Sequence, residues 1–109
     1  MLRLTSEFIR RQATAGDYEL SLHADEERLA EGLTIEQLEE VLTGAELIED
    51  YPDDPRGASC LVLGTSAGRS FHVVCGLTRQ GRLLVITVYE PTLPKWLDPR
   101  TRQQRADPT

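Results

Sequence analysis

No stretch of the sequence approaches the roughly 20 consecutive apolar residues that a membrane span needs, and Met1-Leu2-Arg3-Leu4 opens no signal-peptide apolar core. A membrane is therefore not an expected partner, and the cytoplasm is the expected compartment. Cysteine and histidine are scarce, with two of each. Cys60 and Cys75 fit no Cys-x-x-Cys or zinc-knuckle spacing, and two histidines cannot complete a closed Cys/His metal site. No metal and no cofactor is expected, and in a reducing cytosol the cysteines read as free core thiols. Dinucleotide fingerprints, P-loops, zinc-protease motifs and nucleophile elbows are also missing, which removes the function classes that depend on them.

What is present is one domain's worth of chain. The 109 residues can bury a single core but not two. An apolar content of 39% with 28% charged residues is a globular composition rather than a disordered one. The net charge of −6 is unevenly divided: residues 1–59 carry fifteen acids against five basic residues, and residues 60–109 carry seven basic residues against three acids. An acidic chain is a poor match for phosphate, whereas the basic C-terminal half keeps nucleic acid in view.

The pattern predicts an α+β fold, with N-terminal helices packed on one face of a mainly antiparallel sheet that ends in a three-stranded meander. Residues 1–17 read as an N-terminal helical extension, 18–105 as a single domain and 106–109 as a frayed tail. Thr5 or Ser6 caps a first helix that stops at Gly16. Tyr18–Leu22 alternates as a short strand, and a helix follows through Glu31 to Gly32. Thr34 and Gln37 form a capping box, with Leu33 and Leu38 as its hydrophobic staple and Gly44 as the stop. After a strand or extended arm over 45–51 and a Pro/Asp/Gly loop come strands over 59–64, 69–77 and 82–90.

Turns centred on Ala67-Gly68 and Gln80-Gly81 set the registers. They place Cys60 opposite Cys75, Val73 between Val62 and Val88, Cys75 opposite Ile86, and His72 beside both Leu63 and Tyr89. One face is then expected to carry Cys60, Val62, Phe71, Val73, Cys75, Leu84, Ile86 and Val88 toward the helices. The other carries Leu61, Leu63, His72, Val74, Val85, Thr87 and Tyr89.

Only that second face holds groups able to move protons. His72 reads either as a structural histidine or as a general acid/base, because its unperturbed pKa lies near 6.5. Tyr89 either packs or orients the imidazole. His23, at the strand-to-helix junction, covers that junction or supplies a second proton-handling group. Arg100 and Arg102 are either a solvated tail or a bidentate grip on phosphate. Trp96 anchors the C-terminal segment or stacks on a base. Together these residue types make up a metal-independent RNA-cleaving set.

The ordered pattern His23-Ala24, Gly32-Leu33-Thr34, Glu39-Glu40-Val41-Leu42, Gly44, Ile48-Glu49-Asp50-Tyr51, Leu61-Val62-Leu63-Gly64, Phe71-His72-Val73-Val74, Ile86-Thr87-Val88-Tyr89-Glu90-Pro91, Lys95-Trp96 and Arg102 resembles a family of small bacterial proteins, the domain of unknown function 4258. The resemblance covers roughly residues 18–102. It departs from the pattern at Glu31, where an arginine is frequent. It implies a relation in fold to the RelE/MqsR/BrnT-like toxins, and with it an endoribonuclease of a toxin–antitoxin type system or a descendant that has lost that activity. On that reading His72, Tyr89 and His23 would be catalytic, and Arg100, Arg102 and Trp96 would bind RNA. The implied partners are an antitoxin-like protein, RNA and a second copy in a homodimer. The alternative is a non-catalytic module that binds a small basic partner through its acidic helices.

Overall fold

The computed structural model describes residues 4–92 and 95–102; the tail expected at 106–109 lies outside them. Three helices open the chain: α1 (Ser6–Thr14), α2 (Leu22–Ala30) and α3 (Ile35–Thr43), with β1 (Tyr18–Leu20) between the first two. Each helix starts on a side-chain cap that accepts from a first-turn N–H: Thr5 from Phe8, Ser21 from Ala24 and Thr34 from Gln37. The Thr34–Gln37 box is closed from both sides. Ser21 corrects the expected strand. By capping α2 it ends β1 at Leu20 and carries Leu22 and His23 into the helix.

Four longer strands follow, β2 (Glu46–Tyr51), β3 (Ser59–Ser66), β4 (Arg69–Leu77) and β5 (Leu83–Tyr89). The short β6 (Trp96–Asp98) and β7 (Thr101–Arg102) close as a separate hairpin. The main sheet runs β1-β5-β4-β3-β2, with β1 parallel to β5 and the other pairs antiparallel. This is the α+β, mainly antiparallel architecture the sequence predicts. All three helices feed one core: Phe8, Ile9 and Ala13 from α1, Ala24 from α2, and Leu38, Val41 and Leu42 from α3.

The first meander turn is as tight as expected. Ala67 and Gly68 both take positive φ (52° and 77°), as a two-residue hairpin turn requires. It pairs Cys60 with Cys75, Val62 with Val73 and Leu63 with His72. The two cysteines are free and buried.

The second register is corrected in its turn-proximal half. Cys75 pairs with Val85 rather than Ile86, and Leu77 with Leu83. Ile86 is a bulge residue, so Ile86 and Thr87 both turn away from the helices while Val85 and Val88 are buried beneath them. Leu83 and Val85 therefore occupy the core positions expected of Leu84 and Ile86. Beyond the bulge the extra residue restores the offset, and His72 sits opposite Tyr89 as expected.

A second bulge, at Ile48, has a larger consequence. Leu47 pairs with Val62, but Glu49 pairs with Leu61. In an unbroken strand residues 46 and 49 would point to opposite faces. The extra residue instead puts Glu46, Glu49 and Tyr51 on the same face as His72, the one away from the helices.

Candidate functional site

Among the described residues, the helix-free face of the sheet holds the gathering of chemistry-bearing side chains that matches the sequence reading. His72 lies at its centre and has no exposed surface. The β6–β7 hairpin folds over it. Trp96 is buried (2% exposed) and stands edge-on to the imidazole, ring centroids 4.2 Å apart; Tyr89 stands edge-on from β5 at 5.2 Å.

The hydrogen bonds fix the tautomer. His72 Nε2 lies 2.6 Å from the carbonyl oxygen of Pro99, which can only accept. The proton therefore sits on Nε2, and Nδ1 accepts from the Tyr89 hydroxyl at 3.0 Å. Burial pushes the His72 pKa below its ordinary 6.5, against the opposing pull of the Pro99 hydrogen bond and the Glu49 charge, with Arg102 lowering it further. Burial also raises the Tyr89 hydroxyl, with hydrogen bonding from the Trp96 side chain holding it back. At neutral pH the centre is a neutral imidazole with both nitrogens engaged.

The arginines lie at the rim, each on a carboxylate. Arg102 makes two hydrogen bonds to Glu49, at 2.6 and 2.7 Å, and its guanidinium carbon lies 4.6 Å from the Trp96 ring centroid. The Tyr51 hydroxyl donates to the same glutamate. Arg100 makes two more bonds, to Glu46 at 2.8 and 3.1 Å. Hydrogen bonding to these arginines is the leading cause that holds the Glu46 and Glu49 pKa values below their ordinary 4.5.

The structure thus brings together four of the six residues singled out from the sequence: His72, Tyr89, Trp96 and Arg102. Arg100 sits at the edge on Glu46. His23 is elsewhere: it lies in the first turn of α2, its side chain 65% exposed and 3.3 Å from Glu27. Sequence reasoning missed Glu46, Glu49 and Tyr51, because only the Ile48 bulge turns them toward the arginines. Beside the cluster, an open groove of about 700 Å³ runs over Val74, Gly76, Leu84, Ile86 and Thr87. Among the described residues no three His, Cys, Asp or Glu side chains gather as a metal-holding group, and no helix is long and apolar enough to cross a membrane.

The depressed His72 pKa has a stability consequence with a definite sign. Between its folded value and about 6.5, the unfolded chain binds a proton that the folded chain does not. Stability therefore falls as pH drops below about 6.5 and levels off once the folded value is passed, with a slope of at most about 1.4 kcal/mol per pH unit. Glu49, also shifted downward, acts with the same sign in a separate window below its ordinary 4.5: its contribution is present above that value and is lost as pH falls through the folded one. Urea unfolding between pH 7.5 and 5 is expected to show the His72 slope in the native chain and to lose it in His72→Gln, which keeps a donor and an acceptor but no titration.

Comparison with known proteins adds one finding. A family model described as Domain of unknown function (DUF4258) matches residues 20–90. The match takes in His23, His72 and Tyr89 and stops before Trp96, Arg100 and Arg102. No curated protein and no solved structure matches the chain.

Proposed function

The chain belongs to the DUF4258 family, and within that family we propose that it acts as a non-catalytic protein-interaction module that engages a basic partner. The observation that carries this reading is the state of His72: no exposed surface and both ring nitrogens hydrogen-bonded inside the protein. A general base needs a free lone pair within about 2.6–3.2 Å of a substrate proton, and a general acid needs a proton it can release to substrate. Here the lone pair is taken by Tyr89 and the proton by Pro99. The arginines that would hold a scissile phosphate are already matched to Glu46 and Glu49. The acidic surplus, by contrast, is unspent. Glu26, Glu36 and Glu40 on α2 and α3 are exposed, and none of the three enters an ion pair among the described residues.

A toxin-like endoribonuclease is the second reading, favoured by the convergence of His72, Tyr89, Trp96 and Arg102 on one face. It requires the β6–β7 hairpin to leave the imidazole. Both readings meet in one assay: purified chain incubated with structured and single-stranded RNA in the presence of a chelator, alongside induced expression in a bacterial host. The interaction module is expected to leave the RNA intact and growth unchanged, for the native chain and for His72→Gln alike. RNA cleavage or growth arrest that His72→Gln abolishes would overturn it in favour of the nuclease.

A further inference from the structure

For a helix that covers a sheet, α2 has its apolar side turned outward. Its only buried residue is Ala24. Leu22 and Leu29 are 76% and 61% exposed. Seven residues is close to two helical turns, so the two leucines share one stripe, about 10 Å apart along the axis. Glu26, four residues after Leu22, lies between them on the same side and is exposed. The inward side is held by polar bonds instead: Glu27 accepts from the Val88 N–H of β5 at 2.9 Å, and the Ser21 hydroxyl donates to the Ile86 carbonyl. The two leucines are thus left over by the fold.

Resting on the reading of the chain as an interaction module, we infer that the Leu22–Glu26–Leu29 stripe docks a basic amphipathic helix of a partner protein. Two apolar residues of that helix, spaced at i and i+7, would sit on the leucines, with lysine or arginine against Glu26. A helix face offers no free backbone ladder, so the occupant matches side chain to side chain, as helices do on apolar grooves. Charge decides its sign. Of the acids along α2, Glu27 is turned inward and Asp25 is paired, which leaves Glu26 as the exposed acid of the stripe. The one arginine, Arg28, has its side chain 15% exposed and is tied to Asp25 and the Leu33 carbonyl. A second copy is the wrong occupant, because a two-fold contact through this stripe sets the acids of one copy against those of the other.

The probe is a labelled synthetic peptide of about 20 residues, with leucines at i, i+4 and i+7 and lysines flanking them. Its counterpart carries glutamates in place of the lysines. Anisotropy titrations with the full chain are expected to show binding of the lysine peptide only, weakened at least tenfold by Leu22→Ser with Leu29→Ser. Leu97→Ser, at another exposed leucine (60%), should leave it unchanged, and Glu26→Lys should weaken it. Thermal melts check that the variants remain folded, as substitutions at exposed positions allow. Affinity indifferent to both leucines, failure of the lysine peptide to bind, or concentration-dependent self-association that the double serine variant abolishes would each overturn the inference. None of these bears on RNA cleavage, so this inference and the non-catalytic reading fail separately.

Discussion

Gly64→Ala is expected to lower the stability of the domain by about 3 kcal/mol or more, at the upper end of what overpacking a core costs. Gly64 lies on the helix-facing side of β3, where α3 comes down onto the strand backbone. A Cβ there would sit 2.0 Å from the Val41 carbonyl oxygen and 2.8 Å from its carbonyl carbon and Cγ1. The obstacle is helix backbone, which cannot swing aside like the end of a side chain. α3 cannot simply lift off either, because Leu38, Val41 and Leu42 have no exposed surface and anchor it on both sides of the contact. With total stabilities of roughly 5–15 kcal/mol for ordinary domains, such a loss should also lower the soluble yield. Gly68→Ala is the control. That residue has φ +77° but open space around a Cβ, so its loss is left-handed strain alone, about 1–2 kcal/mol. Urea midpoints at unchanged m-value measure both. A Gly64→Ala loss no larger than the Gly68→Ala loss would show that the close approach of α3 is not what glycine is there to permit.

That contact was not legible in the sequence, and the reason is general to this fold. Local signals carried well. The Thr34–Gln37 box, the Gly32 stop and the Ala67-Gly68 turn are settled within a few residues, and the turn then fixes the Cys60–Cys75 and Leu63–His72 pairs without further information. The bulges did not carry. Leu83, Leu84, Val85 and Ile86 are all apolar and strand-forming, so alternation cannot say which of them faces the helices; packing under α2 decides it. The same holds for Ile48, and with it for the encounter of Glu46 and Glu49 with Arg100 and Arg102. Strands of three and two residues, as in the β6–β7 hairpin, leave no periodicity to read. The Ser21 cap left a signal in the acids that follow it, but the alternation from Tyr18 to Leu22 masked it. For the site, the pairing of His72 with Tyr89 was readable from the turns, whereas the closure over His72 was not, since Pro99 takes part through its carbonyl and not through any side chain.

The closure leads to the other large effect: Trp96→Ala is expected to destabilise the chain by about 3–5 kcal/mol, the usual loss for truncating a buried tryptophan. Besides the hydrogen bond from His72 to the Pro99 carbonyl, two kinds of contact hold the β6–β7 hairpin on the sheet. The Arg102–Glu49 pair is well formed, but with side chains 52% and 25% exposed it is screened by water and contributes at most about 1 kcal/mol. Arg100 and Glu46 are more exposed still. Trp96 is buried against His72, with Arg102 stacked on its ring, and on these magnitudes the indole, not the ion pairs, keeps the hairpin down. Removing it should also readmit water to His72. Burial is the leading cause of that histidine's lowered pKa, so in Trp96→Ala the pKa should rise back toward 6.5 and the loss of stability below pH 6.5 should flatten. Glu49→Gln should do neither, costing about 1 kcal/mol or less. Urea unfolding at pH 7.5 and 5.5, with the His72 ring followed by NMR titration, separates the two variants. If Trp96→Ala costs no more than Glu49→Gln and leaves the His72 titration where it was, the hairpin is held by its charges, and the buried histidine owes its low pKa to the sheet alone.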